Sequence, residues 1–264
     1  MAASPLSRPG GAERVQKVLA QLGLASRREA EDWIRAGRLT VNGKPAELGM
    51  RVIPQDQLKL DGRLIRQRSA RGAAVPVFIC HRSPGEPLLP ARAGANPADK
   101  AAATTSMAAR LPRRAGRRFI SVSPMPAVDG GLELLSADGA VASRLQRAMR
   151  ALEMEFSLRV RGQLSAEQEQ AIRLGMLDRG TAIQIVLLEP SGGEGSNRWY
   201  RLIALGASGN EIRQLIERAA VTLVRMLRTR VGGLALPRSL ARSHCRELTS
   251  EELASVLDSP GSGR

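Results

Sequence analysis

The stretch from Ser26 to Lys44 constrains the fold more tightly than any other part of the chain. Ser26 stands three residues before Glu29, the spacing of a capping box in which each side chain satisfies an amide at a helix start. Ala30, Trp33 and Ile34 mark one apolar helix face, and Gly37 ends it. Leu39 and Val41 alternate as in a strand, and Asn42-Gly43 is a strong hairpin turn pair. Upstream, Val15, Val18, Leu19 and Leu22 recur at helical spacing until Gly23. Downstream, a strand over 57–60 and a turn at Asp61-Gly62 close the block. Residues 13–66 therefore read as a small domain of two helices and a hairpin, behind a polar, Pro/Gly-broken leader at 1–12 read as disordered.

Charge says what such a surface could meet. The chain has 40 Lys+Arg against 25 Asp+Glu, a net +15, which calls for a polyanionic partner, nucleic acid or an anionic membrane surface. Basic helices faced with Trp or Phe are missing, as is any run of about 18 apolar residues, so the membrane reading is the weaker one. Aromatics are only 2%, which argues against readers built on a sheet of base-stacking rings. Arg27 and Arg28 fall in the first turn of the second helix, Arg35 and Arg38 at its end, and Lys44 after the hairpin turn. Their tips converge on a groove suited to phosphates; the bland alternative is a solvated surface. The two cysteines, Cys80 and Cys245, provide no disulfide framework and no CxxC pair, and the expected compartment is the cytoplasm.

Residues 67–75 read as a basic linker and 77–80 as a short buried strand. From Pro84 to Gly116 the chain is rich in Ala, Pro, Gly and Arg with little apolar periodicity, and reads as a loosely held insertion. Arg110, Arg113, Arg114, Arg117 and Arg118 crowd its end, an arm that could order on RNA. Strands are expected at 119–122, 132–135, 155–160, 183–188 and 199–205, and helices at 141–149, 166–174 and 212–220, with Ser165 and Gln168 forming another capping box. The mixture suggests an α+β domain over 76–257, followed by a disordered tail at 258–264.

The order Ser26-Arg-Arg-Glu-Ala, then Ile34-Arg-Ala-Gly-Arg-Leu-Thr-Val-Asn-Gly-Lys44, closely resembles the S-four (α-L) RNA-binding domain, which implies that 13–66 binds structured RNA. Gly131-Leu-Glu-Leu-Leu-Ser-Ala-Asp-Gly139, Ser191-Gly-Gly-Glu-Gly-Ser-Asn-Arg-Trp-Tyr200 and Arg246-Glu-Leu-Thr-Ser-Glu-Glu252 resemble the RsuA/RluB-type ribosomal RNA pseudouridine synthases, most like the large-subunit branch. Val77–Gly85 resembles the opening strand and turn of their catalytic domain. That resemblance implies a cofactor-free isomerisation of uridine, in which one aspartate, at the end of Gly-Arg-Leu-Asp, acts as nucleophile or base on a flipped-out nucleotide.

At that point the sequence departs from the pattern. In ungapped register Pro126 stands at the aspartate's place and Pro124 at the arginine's. Proline has no ionisable group. Asp129 is the nearest carboxylate, three residues on, displaced by about 10 Å in extended chain and turned to the other face, and reads as part of an ordinary turn. Ser208 and Asn210 stand where the family has arginines, leaving Arg213; Phe156 replaces a tyrosine, so that Phe156 and Arg213 are what remains of the implied pocket. Two functions follow as expectations: an RNA-binding member of the family without its chemistry, or an active synthase using Asp129. The implied partner is ribosomal RNA of the large subunit or an assembly intermediate, with the chain expected to be a monomer. A zinc site from Cys80-His81 and His244-Cys245 is poorly arranged, because adjacent strand residues point to opposite faces. Gly192-Gly193 and Gly195 lack the Gly-Lys-Ser/Thr of a phosphate loop.

Overall fold

The computed structural model describes residues 12–65, 76–90, 106–112, 118–193 and 195–257. Nearly all of the leader, the linker, the tail and Arg113, Arg114 and Arg117 lie outside the described residues. The chain divides into two compact units.

In the N-terminal unit, α1 (Val15–Gln21) and α2 (Arg27–Arg35) pack beside a four-stranded sheet. The sheet runs β3 (Lys44–Pro45), β2 (Leu39–Val41), β5 (Leu58–Leu60), β6 (Arg63–Ile65). A separate pair joins β1 (Glu13–Arg14) to β4 (Arg51–Val52). Helices of seven and nine residues are too short to persist alone. They are held by burying Val15, Leu19, Ala30 and Ile34 against Leu39 and Leu58. The Ser26 hydroxyl accepts from the Glu29 amide at 3.1 Å, and the Ser26 amide donates back to the Glu29 carboxylate at 3.3 Å. Asn42 and Gly43 both take positive φ, +52° and +82°, the geometry that matches the twist of a two-residue hairpin. Arg118 and Ala137–Gly139 cluster with this unit.

The larger unit is built on a mixed sheet in the order β11 (Gln184–Pro190), β12 (Asn197–Leu205), β10 (Glu153–Arg161), β13 (Leu223–Val231), β9 (Gly130–Ser136), β7 (Val77–Arg82), β15 (Cys245–Glu247). β8 (Ile120–Val122) adds to β9 and β14 (Leu234–Ala235) to β13. Among the described strand pairs, only β13 and β9 run parallel. Four helices accompany it: α3 (Gly139–Met149), α4 (Ala166–Leu174), α5 (Gly209–Arg218) and α6 (Ser250–Leu257). β10 shows the period of two that half-buried strands require. Met154, Phe156, Leu158 and Val160 are buried with Leu145, Ile172, Ile212 and Val256 of the helices, while Glu153, Glu155, Ser157 and Arg159 stay half-exposed on the other face. None of the helices among the described residues is long and apolar enough to cross a membrane.

The structure differs from the sequence reading over residues 84–116 and at the cysteines, and adds β13, a strand not expected from the sequence. Parts of 84–116 are not loosely held: Leu88, Met107 and Leu111 bury against Phe78, Cys80 and Leu135, and Ser106 caps a 3-10 turn over Met107–Arg110. Single large apolar residues spaced without period leave no pattern to read, yet each fills a hole in the core. The cysteines also differ, since Cys80 and Cys245 sit opposite each other on β7 and β15, Cα atoms 4.0 Å apart, and form a disulfide. That bond removes both thiolates from any metal chemistry. His81 and His244 instead bond to the Leu240 and Arg242 carbonyls.

Candidate RNA interface and candidate active site

The cations of the N-terminal unit separate into two groups. Arg27, Arg28 and Lys44 are exposed, and no ion pair engages them among the described residues. Arg35 and Arg38 are exposed but engaged. Arg35 donates to Asp32 at 2.8 Å. Arg38 lies over the Trp33 ring, 5.8 Å from its centroid, and holds Asp61 through two bonds of 2.9 and 2.5 Å. The pair lowers the Asp61 carboxyl below its usual range and raises Arg38, in both through the hydrogen bonds they share. Arg118 is bound to Glu29. Of the candidate contact residues, Arg27, Arg28 and Lys44 are thus available to an outside anion without breaking an ion pair among the described residues.

In the larger unit the residues around Pro126 are gathered by two buried arginines. Arg82 of β7 donates to the Met125 and Pro126 carbonyls at 2.9 and 2.8 Å. Arg228 of β13 donates to the Ser123 carbonyl at 2.8 Å. Between them lies Glu133 of β9, without exposed surface, bonded to Arg82 at 2.9 Å, to Arg228 at 3.2 Å and to the Met125 amide at 3.0 Å. Burial pushes the Glu133 carboxyl up, against the pull of both guanidiniums, and pushes Arg228 down. Leu132, Leu134 and Leu135 flank Glu133, so the carboxylate sits in an otherwise apolar run. Gly131 takes a positive φ of 95°, and a Cβ there would come within 2.3 Å of the Arg228 carbonyl oxygen, so only glycine fits. Gly209 opens α5 for a related reason, since a Cβ would come within 2.5 Å of the Met125 sulfur and 2.9 Å of the Pro126 ring.

Asp129 does lie in a turn, its amide donating to the Pro126 carbonyl at 3.0 Å. Its side chain nevertheless points inward and has no exposed surface. Arg213 of α5 grips both oxygens, at 2.9 and 2.8 Å, and the Met226 amide of β13 donates to Oδ1 at 3.1 Å. Hydrogen bonding to Asp129 raises the Arg213 guanidinium above its ordinary value. The carboxylate therefore ties turn, helix and strand together. The structure brings Arg213 to Asp129, which the sequence did not pair. Phe156 of β10 stands opposite Arg228 of β13, fully buried. Glu133, Arg82 and Arg228 escaped the sequence reading; the available signal was a carboxylate inside an otherwise apolar run.

An S4 domain model matches residues 13–58. The ribosomal large subunit pseudouridine synthase B of Pseudomonas aeruginosa is 33% identical over 250 residues, spanning 94% of this chain and 63% of the relative. That of Escherichia coli is 35% identical over 239 residues, spanning 89% of this chain and 79% of the relative. Among solved structures, a pseudouridylate synthase superposes with a TM-score of 0.58 over 92% of this chain and 99% of its own, at 16% identity, a likeness of fold. With a third of its positions shared along nearly its whole length, the chain belongs to the RsuA/RluB-type family of ribosomal RNA pseudouridine synthases.

Proposed function

We propose that the chain binds ribosomal RNA of the large subunit, or an assembly intermediate containing it, and does not isomerise uridine. The RNA-binding half rests on the S4 match and on Arg27, Arg28 and Lys44, which present free positive charge from a helix start and a hairpin. The loss of chemistry rests on one observation: Asp129 and Glu133, the carboxylates nearest the family position among the described residues, are both sealed from solvent and bonded internally. A nucleophile must reach the sugar of its substrate. Asp129 reaches Arg213 and the Met226 amide instead, and Pro126 supplies no acid.

A second reading is an active synthase using Asp129. It is favoured by the grip of Arg213, the one arginine kept from the family's run, on a carboxylate just before β9. Purified chain incubated with ribosomal RNA lacking pseudouridine, followed by chemical mapping, separates the two. Binding without new pseudouridine is the expected result. Conversion by the wild-type chain that disappears in Asp129→Asn would overturn it.

A further inference from the structure

The half-exposed face of the sheet in the larger unit carries its charges unevenly. Toward the Glu153 end they cancel. Arg201 is paired with Glu155 and Glu189, and Arg230 with Glu153 and Glu155. Toward the other end of β10 they do not. Arg159 stands directly across from Arg225 of β13 on one side and Trp199 of β12 on the other, and Arg161 follows two residues on. None of these three arginines has an acidic partner among the described residues. The Arg159 guanidinium lies over the indole, 5.9 Å from its centroid, and its Nε is buried without any hydrogen-bond partner.

Like charges directly opposite on neighbouring strands work against the sheet, and a donor left unbonded costs more. A family scaffold gains nothing from that arrangement by itself. It becomes favourable once an anion arrives, because a guanidinium flattened on an indole keeps its outer edge for phosphate and its plane for a base. With a net charge of +15 on the chain, the complementary ligand is a polyanion with stacking groups.

We propose that Arg159, Arg225, Arg161 and Trp199 form a second RNA-contacting surface, on the open sheet face, that takes a single-stranded phosphodiester backbone and stacks a base near Trp199. This rests on the RNA-binding reading above but uses none of the residues that support it. Arg225 adjoins Met226, whose amide binds Asp129, but Arg225 alternates with the buried Met226 along β13 and none of the four residues bonds to Asp129, so the surface would operate whether or not uridine is isomerised.

The test uses the full chain with Trp33→Phe, which leaves Trp199 as the sole indole, titrated with a single-stranded oligouridylate. Quenching of the Trp199 emission is expected. In Arg159→Ala/Arg225→Ala the affinity should fall about tenfold, and the slope of log K against log salt should shrink by about 0.7 for each lost phosphate contact. Arg159→Lys keeps the charge and should keep most of the salt slope while losing part of the quenching, a pattern that misfolding does not produce. If the double variant binds with unchanged affinity and slope while Arg27→Ala/Arg28→Ala weakens binding, the sheet-face surface is refuted and the N-terminal one stands. If the wild-type chain binds neither oligouridylate nor ribosomal RNA, both fail together. Emission that responds to polyglutamate but not to oligouridylate would put an acidic protein on this face and overturn the assignment.

Discussion

At the scale of single residues, Glu133 holds the segment around Pro126, through the Met125 amide and through Arg82. Among the described residues, Glu133 is the sole counter-charge within bonding distance of Arg82 and Arg228. Both guanidiniums keep backbone carbonyls as acceptors, but carbonyl dipoles do not neutralise two charges buried this far from water. Glu133→Leu should destabilise this chain by about 3–5 kcal/mol, the range for breaking a buried pair by removing one partner. Urea unfolding monitored by circular dichroism reads it as a lower midpoint at unchanged slope. A neutral or stabilising result would mean that the arginines are satisfied by carbonyls alone, and that the carboxylate does not hold residues 123–127.

At the scale of elements, caps decide where short helices begin. α6 starts at a Thr-x-x-Glu box: the Thr249 hydroxyl accepts from the Glu252 amide at 3.2 Å and the Glu252 carboxylate accepts from the Thr249 amide at 3.0 Å. Arg246 of β15 adds two further bonds, of 2.7 and 2.5 Å, to the same carboxylate. Led by the Arg246 hydrogen bonds, these interactions hold the Glu252 carboxyl down from 4.5 to about 2. A depressed acid contributes stability that is fully present above its unfolded value and is lost as pH falls through the folded one. The stability difference between wild type and Glu252→Gln should therefore be constant above about pH 5 and close progressively down to about pH 2. Partial exposure keeps the effect small. Denaturant midpoints of the two chains across that range measure it, and a difference independent of pH would remove Glu252 as the titrating group. The same logic explains which elements the sequence disclosed. α2 and α4 carry capping boxes and regular apolar faces, and both are legible. β13 is not, because Arg228 sits on its buried side and breaks the alternation that would announce a strand. Asp129 was legible as a turn residue but not as a clamp, since its partners Arg213 and Met226 lie 84 and 97 residues away in sequence.

At the scale of the whole molecule, the net +15 is spread unequally between charges already spent on internal partners and charges left for an outside one. Salt dependence separates the two, because only a cation that replaces a condensed counterion steepens the slope of log K against log salt, by about 0.7 to 0.9 per phosphate. From the sequence alone Arg27, Arg28, Arg38 and Lys44 are equivalent. In the folded unit Arg38 is held by Asp61 and stacked on Trp33, whereas the other three are free. Arg27→Ala, Arg28→Ala and Lys44→Ala should each flatten the slope by nearly one phosphate's worth for ribosomal RNA. Arg38→Ala should do so less, since Asp61 already offsets its charge and must be desolvated along with it. The opposite substitution gives the sharper outcome. Asp61→Ala releases Arg38 and removes a negative charge from the same surface, so binding should tighten and its salt slope should steepen. Filter binding at several salt concentrations decides between these. If Asp61→Ala leaves affinity and slope where they were, the end of α2 does not face the RNA, and the contact surface narrows to the helix start and the hairpin.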